Sequence, residues 1–434
     1  MIAPTPEASA LSPHEVRSKP AFELPPLPPG YQHRFHAMVK PGGSLCNLDC
    51  TYCYYLHKEG LLHHSNRPHM SDDLLEEHIR QYIEAQTGNE VVFSWQGGEP
   101  TLLGLDFFRK VVALEAKYKK PFQRIENDLQ TNGTLLDEDW ARFLKEHNFL
   151  VGLSCDGPKH LHDRYRVTKG GGPTHDKVMA AARLLKKHRV PYNALCVVNR
   201  ENVKYARDVY RHLTRELDVW RVQFIACVEP KVFRDVAPQH WDATSLPMVG
   251  TPQARPGTPD SVVTDWSVGP EDWGTFLCKI WDFWYGHDYG RVHVDLFESA
   301  VAQSLGLPAQ RCVSGEFCGK GLVVEHNGDV FSCDHYVYPE YRLGNIQTTH
   351  WGTMVYSDTQ KRFGFAKRDR LPRYCRECEH LNLCWGECPK NRLVRTPDGE
   401  PGLNYLCPGQ RQFFSHIQRD MPAILRRVKE GRVR

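Results

Sequence analysis

The hydrophobic and polar positions between residues 34 and 230 repeat in a regular order. A short β-rich run is followed by a turn and then by an amphipathic helix, about every 30 residues. This alternation is typical of βα units arranged around a parallel sheet or barrel. The pattern predicts six strands, FHAMVK (35–40), VVFSW (91–95), IENDLQ (125–130), FLVGLS (149–154), YNALCVV (192–198) and RVQFIA (221–226).

The stretch that follows Ser71 illustrates the helical half of the repeat. Ser71 is suited to cap a helix, and Asp72 and Asp73 suit its first turn, where acidic side chains face the positive end of the helix dipole. One apolar stripe then follows at helical spacing, formed by Leu74, Leu75, His78, Ile79, Tyr82 and Ile83. The pattern therefore predicts an amphipathic helix that packs on the sheet.

Polar and glycine-rich segments follow the predicted strands. They are a three-cysteine loop, QGGEP (96–100), QTNG (130–133), SCDGP (154–158), VNREN (198–202) and ACVEP (226–230). Ligands bind at the carboxyl edge of the strands in parallel α/β folds. Since several such segments converge on one edge, we expect the functional site there.

The three-cysteine loop reads SLCNLDCTYCYY (44–55), with Cys46, Cys50 and Cys53 spaced C-x3-C-x2-C. A [4Fe–4S] cluster has four coordination positions for protein ligands, so three thiolates leave one iron open to a chelating small molecule. The alternative is a zinc site that is completed by one of the nearby histidines, His57, His63 or His64.

Composition and charge limit the class of protein. The chain has 434 residues, 41% hydrophobic and 25% charged, which is enough for two or three compact units. Its formal net charge of +3 is small, which argues against nucleic-acid or anionic-membrane partners. No signal peptide or apolar span of about 18 residues is recognisable, so we expect a cytoplasmic location.

The chain contains 15 cysteines, which in a reducing compartment suggest metal ligands before disulfides. Four single cysteines lie in apolar runs and are interpreted as small buried hydrophobes: Cys155, Cys196, Cys227 and Cys278. The other eight are C-terminal and read C-x5-C-x14-C and C-x2-C-x5-C-x3-C-x18-C. Eight ligands suffice for two complete centres, which the spacing alone leaves open between zinc and iron–sulfur.

Together these motifs resemble known families. C-x3-C-x-Y-C followed by QGGEP resembles the radical S-adenosylmethionine (SAM) superfamily, and the C-terminal cysteines resemble its SPASM domain. Within that superfamily the chain resembles the anaerobic sulfatase-maturating enzymes over about residues 33–415. This last resemblance is carried by FHAMVKPGGSLCNLDCTYCYYLHKEG, QTNGTLL, SCDGPKHLHDRYRV and CDHYVYPEYRLGNI.

The resemblance implies an α/β fold, a partial (β/α)6 TIM-like radical SAM barrel followed by a C-terminal SPASM domain with auxiliary iron–sulfur clusters. The expected segments are a Pro-rich and disordered leader (1–32), the barrel (33–230), a long inserted surface loop (231–270), a helical linker (271–310), the SPASM domain (311–415) and a basic C-terminal helix or tail (416–434).

The resemblance also implies a site. One cluster on Cys46, Cys50 and Cys53 would hold SAM, with SAM contacts from Tyr52, Gly98, Ser154, Arg166 and Val228. Of two auxiliary [4Fe–4S] clusters, the first would use Cys312, Cys318, Cys333 and Cys388, and the second Cys375, Cys378, Cys384 and Cys407. Asp334 would be the catalytic base, with His335 as its rival, and Tyr55 would orient the substrate. Cys155 departs from the usual aliphatic residue of its motif and is interpreted as packing.

The implied activity is the oxidation of a cysteine or serine in a sulfatase to formylglycine, started by a 5′-deoxyadenosyl radical that removes a Cβ hydrogen. The implied partners are a sulfatase polypeptide with a C-x-P-x-R or S-x-P-x-R motif and an electron donor such as flavodoxin or ferredoxin. One alternative is a SPASM enzyme that crosslinks or epimerises a precursor peptide, although only 45 residues precede Cys46. The other is a non-enzymatic iron–sulfur or zinc module, which would not need the QGGEP and SCDGP segments.

Overall fold

The computed structural model describes residues 24–26, 33–62 and 68–431, so the prediction for the leader lies almost wholly outside the described residues. All six predicted strands form, within one residue of the predicted bounds. They are β1 (His36–Lys40), β2 (Glu90–Trp95), β3 (Arg124–Thr131), β4 (Leu150–Ser154), β5 (Tyr192–Val198) and β6 (Arg221–Ala226). They pair in chain order and all pairs are parallel, as the βα repeat predicts.

Four further strands extend this sheet at both ends: β7 (His293–Val294), β8 (Gly321–Glu325), β9 (Asp329–Phe331) and β10 (Arg342–Asn345). Strands β11 (Val394–Arg395) and β12 (Pro401–Leu403) form a separate two-stranded sheet. The sheet order is β10-β9-β8-β1-β2-β3-β4-β5-β6-β7. Because β1 and β6 take β8 and β7 as their outer neighbours and not each other, the barrel is open.

One consequence concerns the domain boundary that we predicted at residue 311. Strand β8 lies beyond that boundary, yet it pairs in parallel with β1, from His36 beside Gly321 to Lys40 beside Glu325. The main chain of β1 would otherwise present unpaired donors and acceptors at a sheet edge. The C-terminal segment is therefore part of the same sheet as the barrel.

Within the described residues, fifteen α-helices connect and cover the strands. They are α1 (Lys58–Leu61), α2 (Asp72–Glu84), α3 (Gly104–Tyr118), α4 (Glu138–Glu146), α5 (Lys159–His162), α6 (His175–Lys187), α7 (Ala206–Arg211), α8 (Pro270–His287), α9 (Asp295–Ser304), α10 (Trp351–Val355), α11 (Asp358–Asp369), α12 (Arg373–Arg376), α13 (Leu381–Cys384), α14 (Cys407–Ile417) and α15 (Met421–Lys429). Shorter 3₁₀ turns lie at Pro100–Leu103, Asn202–Tyr205, Pro252–Ala254, Asp334–Tyr336, Pro339–Tyr341 and Pro389–Asn391, and a π-helical turn at His212–Glu216. Among the described residues, no helix is both long and apolar enough to cross a membrane.

Helix α2 confirms the predicted capping and packing. The backbone N–H of Leu74 donates to the Ser71 hydroxyl at 3.3 Å, so one of the free donors of the first turn is satisfied. The apolar stripe of α2 is buried in the core that fills the space between the sheet and its helices. The four single cysteines are buried as well, which confirms their interpretation as small hydrophobes.

The segment 231–270, which we predicted as a long inserted surface loop, contains no α-helix or β-strand before Pro270 and contacts both the barrel and the C-terminal region. Its Val263 and Val268 are fully buried. Its main chain pairs with β11, where Val249 donates to the carbonyl of Arg395 at 2.9 Å. The hydroxyl of Tyr341 donates to the Pro238 carbonyl at 2.7 Å. Irregular contacts of this kind hold the segment in place. They impose no helical or strand period, so none is visible in its sequence.

Helices α8 and α14 join the predicted linker to the predicted SPASM domain. They approach closely at two glycines, since a Cβ atom on Gly409 would lie only 2.1 Å from the Pro270 carbonyl oxygen and one on Gly274 would meet Gly409. Trp281 of α8 packs edge-on against Phe413 of α14. The two regions thus share one hydrophobic core.

Candidate active site

The three-cysteine loop leaves the carboxyl end of β1 and runs into α1, where the fold of a parallel sheet predicts a ligand site. The N–H of Leu48 points to the sulfur of Cys46 at 3.4 Å. Burial raises the pKa of Cys46 to about 11 and that of Cys50 to about 12, although the charge of Arg166 counteracts it at Cys50. Free thiols with amide donors on sulfur suit a metal–sulfur cluster, which binds them as thiolates and releases their protons.

The QGGEP segment at the end of β2 lies directly against the cysteine loop. Gly98 donates its N–H to the carbonyl of Gly43 at 2.9 Å, and Glu99 donates its N–H to that of Leu45 at 2.8 Å. A Cβ atom on Gly98 would come within 2.1 Å of the Leu45 oxygen, so only glycine fits this approach. The segment therefore fixes the position of the cysteine loop.

The buried carboxylate of Glu99 holds the next segment in place. It accepts the N–H of Thr101 at 3.1 Å, the N–H of Asn132 at 2.7 Å and the hydroxyl of Thr131 at 2.8 Å. The segments after β2 and β3 are thereby tied together behind the cysteine loop. Glu99 thus supports the segments that lie behind the cysteine loop.

In the SCDGP segment after β4, Asp156 connects two of the predicted SAM contacts. Its carboxylate accepts the Tyr52 hydroxyl and the Arg166 Nε–H at 3.0 Å, and it also accepts the N–H of Val197 at 3.0 Å. Sequence reasoning missed Asp156, although it is the aspartate of the SCDGP segment. Ser154, at the end of β4, accepts a hydrogen bond from Gln130 at 3.0 Å.

Val228 follows β6 and is fully buried. Its carbonyl accepts the Lys390 ammonium at 2.6 Å, and the same ammonium pairs with Glu229 at 3.1 Å. This predicted SAM contact is therefore tied to the C-terminal region through Lys390.

Asp334 is held in the narrow space between the barrel and the C-terminal hairpin. Its Oδ1 lies 2.6 Å from the Nζ of Lys40, at the end of β1, and its Oδ2 accepts the Tyr54 hydroxyl. Burial alone would raise the pKa of Asp334, but the charges of Lys40 and His335 and the hydrogen bonds outweigh it and lower the pKa. Asp334 is therefore ionised at neutral pH and able to accept a proton.

Tyr55, which we predicted to orient the substrate, directs its hydroxyl to Glu325 and not to Asp334. It is buried in a small apolar cluster with Val323 and Phe331, and its hydroxyl donates to the buried Glu325. The geometry gives its neighbour Tyr54, and not Tyr55, the contact with Asp334. Two adjacent tyrosines in a loop have no periodicity that would tell them apart from sequence alone.

A small cavity of about 10 Å³ lies beside Tyr54 and His335. Its other lining residues come from the barrel, the 231–270 segment and the C-terminal region, and include Lys58, Glu229, Phe233, Tyr338 and Lys390. Burial lowers the pKa of His335 to about 4 and that of Lys58 to about 7, although nearby carboxylates counteract the shift at Lys58. His335 is therefore neutral at physiological pH, which is the form of imidazole that can accept a proton, so it stays a rival to Asp334 as the base.

The C-terminal cysteines come together in two groups. Burial raises the pKa of Cys333 and the charges of Cys312 and Cys388 raise it further. Burial likewise raises the pKa of Cys318 to about 11, and Cys312 contributes to that shift too. These thiols are thus close enough to interact, as expected for the first predicted auxiliary set.

All four thiols of the second predicted set line one cavity. The cavity holds about 30 Å³ and is lined by Cys375, Cys378, Cys384 and Cys407, together with Tyr374 and Arg411 among others. In the part of the chain that the structure describes, no three His, Cys, Asp or Glu side chains converge on a single metal ion.

Comparisons with known proteins agree with this geometry. A model of the radical SAM superfamily matches residues 41–213, and a model of an iron–sulfur cluster-binding domain, SPASM, matches residues 312–379. These ranges contain the three-cysteine loop and five of the eight C-terminal cysteines. The chain is therefore a radical SAM enzyme with a SPASM domain, and such enzymes use SAM and a [4Fe–4S] cluster.

Curated relatives extend over almost the whole chain. A serine-type anaerobic sulfatase-maturating enzyme from Bacteroides thetaiotaomicron is 44% identical over 382 residues, which are 88% of this chain and 89% of that protein. A cysteine-type enzyme from Clostridium perfringens is 34% identical over 383 residues, or 87% and 95% of the two chains.

Solved structures give the same result. The structure described as native anSMEcpe with bound AdoMet and Cp18Cys peptide superposes with a TM-score of 0.76 at 33% identity, covering 91% of this chain and 99% of that one. Streptococcus suis SuiB bound to its precursor peptide SuiA has a TM-score of 0.55 at 13% identity over 85% and 75% of the chains, which shows a shared fold alone. On the extent and level of these identities, the chain belongs to the family of anaerobic sulfatase-maturating enzymes.

Proposed function

We propose that this chain oxidises a cysteine or serine in the C-x-P-x-R or S-x-P-x-R motif of a sulfatase to 3-oxoalanine (Cα-formylglycine). The observation that carries the proposal is the ionised Asp334, held between Lys40 and Tyr54 immediately after the cluster-ligand candidate Cys333. This reaction needs a base beside the oxidised side chain. The named relatives and the peptide-bound structure support the substrate class.

The residues that would hold the cofactors follow from the site. Cys46, Cys50 and Cys53 would bind one [4Fe–4S] cluster, and the two C-terminal sets would bind one cluster each. SAM would lie against Tyr52, Gly98, Ser154, Arg166 and Val228. When bound, SAM at the reduced cluster supplies the 5′-deoxyadenosyl radical that removes a Cβ hydrogen, and the auxiliary clusters supply an electron acceptor, with flavodoxin or ferredoxin as the outside redox partner.

Arg166 would serve the SAM carboxylate as part of a preformed unit. Its Nε is already engaged by Asp156, which leaves the terminal nitrogens of the guanidinium for a carboxylate ligand. Arg166 is 8% exposed, so the ion pair with Asp156 compensates much of the penalty for burying its charge. The pair positions the guanidinium before SAM arrives.

Asp334 would take the proton that leaves the thiol or hydroxyl of the target residue as it is oxidised. Lys40 keeps the carboxylate ionised, and the Tyr54 hydroxyl fixes its orientation. The adjoining cavity, which Tyr54 and His335 line, marks the direction from which the target side chain would approach. Its walls come partly from the 231–270 segment, so this segment contributes to substrate selection.

The test is anaerobic incubation of the purified protein with SAM, a reductant and a peptide that carries either motif. We expect an aldehyde that a hydrazide probe traps and mass spectrometry locates at the Cys or Ser. Asp334→Asn should still form 5′-deoxyadenosine but yield roughly 10²-fold less aldehyde if general-base help is the missing contribution.

Asp329→Asn is the matched control, since Asp329 lies on the same hairpin but pairs with Arg342. If Asp334→Asn converts peptide at the parent rate while His335→Ala does not, the base is His335. A product that is crosslinked and carries no aldehyde would instead identify a SPASM peptide-modifying enzyme. Zinc in place of iron in the protein would identify a non-enzymatic module.

A further inference from the structure

Two buried cations lie beside the C-terminal cysteines. Lys367, on α11, is 1% exposed and Arg392 is 5% exposed. In the part of the chain that the structure describes, neither lies within ion-pair distance of a carboxylate. Burying a charge without an opposite charge is strongly unfavourable. Some other negative group must therefore stabilise these cations.

Lys367 is held by the main chain of the first cysteine set. Its ammonium donates to the carbonyls of Cys312 at 2.6 Å, Val313 at 2.8 Å and Gly315. The lysine thus closes the loop that carries Cys312 and leaves its positive charge beside that set. Its three donors are all used, so it has none left for a sulfur.

Arg392 differs in having a donor to spare. Its Nη2 donates to the carbonyl of Lys367, whereas its Nε–H is buried without a hydrogen-bond partner among the described residues. Its Nη2 lies against Gly386, which lines the cavity of the second set, since a Cβ atom there would come within 3.1 Å of it. Burial lowers the pKa of Arg392, whereas Tyr336 and the thiols of Cys375, Cys388 and Cys318 raise it, so thiols of both sets lie near the guanidinium. A single guanidinium therefore lies within electrostatic reach of both sets.

We propose that Arg392 is a positioning residue shared by the two auxiliary clusters, whose buried guanidinium offers its Nε–H to cluster sulfur and raises the reduction potentials of both clusters. The inference rests on the cluster ligand sets of the proposed function. The reduction potential of an iron–sulfur cluster depends on net charge, on hydrogen bonds to sulfur and on solvent exposure. A cation stabilises the reduced and more negative state, so it makes each cluster a better electron acceptor. This is the direction that the oxidation of a substrate radical requires.

The test is a redox titration of the full-length, anaerobically purified protein, followed by electron paramagnetic resonance. Arg392→Met removes the charge and the donors at similar length. We expect its two auxiliary midpoint potentials to fall while that of the three-cysteine cluster stays unchanged. Arg392→Lys keeps the charge and should recover part of the shift.

Arg368→Met is the matched control, because Arg368 is the exposed neighbour of Lys367 and pairs with Glu316 at the surface. It should leave all three potentials at the parent values. Unchanged auxiliary potentials in Arg392→Met, with full iron content, would overturn the proposal.

Failure of cluster assembly is also informative. If Arg392→Met loses auxiliary iron but Arg392→Lys retains it, a buried positive charge is required at this position and the proposal stands. If both variants lose it, Arg392 acts through its shape alone and the proposal is wrong. Zinc in the parent protein would contradict the ligand sets themselves, before any variant is compared.

Discussion

The contact between the QGGEP segment and the cysteine loop makes Gly98→Ala the most direct test of the site. The new Cβ atom would lie 2.1 Å from the Leu45 carbonyl oxygen and 2.5 Å from that of Ser44. Ordinary contact begins at 3.4 Å, so the loop must move by most of the 1.3 Å between these distances. The obstacle is backbone and not a flexible side chain, so no rotamer change relieves it.

The structural penalty and the functional penalty of this change differ. Overpacking of this kind costs about 1–3 kcal/mol, which a folded domain of this size can survive. A displacement of about 1 Å at a reacting group, however, lowers rates by about 10²-fold. The loop that moves carries Cys46 and accepts hydrogen bonds from both Gly98 and Glu99. We therefore expect a folded protein that forms 5′-deoxyadenosine about 10²-fold more slowly.

The assay compares 5′-deoxyadenosine formation, iron content and far-ultraviolet circular dichroism of the variant and the parent. Gly60→Ala is the control, because Gly60 lies in α1 just after the same loop and a Cβ there meets nothing within 4 Å. It should behave as the parent does. Parent-like SAM cleavage by Gly98→Ala would refute the argument that this glycine positions the cluster loop.

Three further outcomes are expected. Lys40→Met removes the cation that lowers the pKa of Asp334, so burial should raise that pKa and move the acid limb of formylglycine formation to higher pH, with activity recovered in alkaline buffer. Tyr55→Phe leaves the buried Glu325 without its donor and should destabilise the protein by about 1–3 kcal/mol, measured by thermal unfolding. Cys378→Ala should lower the iron content by up to about four atoms per chain, measured by metal analysis.

Two of these outcomes have a matched control variant, and the third has a result that would contradict it. Tyr54→Phe should lower formylglycine yield more than stability, the opposite of the neighbouring tyrosine, because Tyr54 contacts Asp334. Cys155→Ala removes a buried cysteine outside the predicted sets and should leave the iron content unchanged. An acid limb in Lys40→Met at the parent pH would show that another group sets the ionisation of Asp334.

The parts of the fold that could be predicted are those with a local period. The six strands and α2 follow from alternation, capping and a helical stripe, all of which are visible within about 15 residues. The pairing of β1 with β8 joins residues nearly 300 positions apart in the sequence, and neither strand carries a signal that names its partner. The contacts of the 231–270 segment with the C-terminal region could not be predicted for the same reason, since they join residues far apart in the sequence.

The same distinction between local signals and distant contacts applies to the candidate site. The cysteines could be predicted because their spacing within a loop is itself the signal. Asp156 and Lys40 could not, because single charged residues at strand ends are common and their roles depend on what faces them. Lys40 forms its ion pair only because the C-terminal hairpin brings the Asp334 carboxylate within 2.6 Å of its ammonium.

The position of β1 explains why the two predicted domains form one site. One edge of β1 pairs with β2 of the barrel and the other with β8 of the C-terminal segment, so β1 is shared between both. Lys40 ends β1, and the hairpin that begins with β8 leads to Cys333 and Asp334. The pairing that extends the sheet therefore also sets the distance between the cysteine loop of the barrel and Asp334 of the hairpin. Any change that shifts the register of β1 against β8 would move both at once, because a shift of one residue would reverse the faces on which their side chains lie.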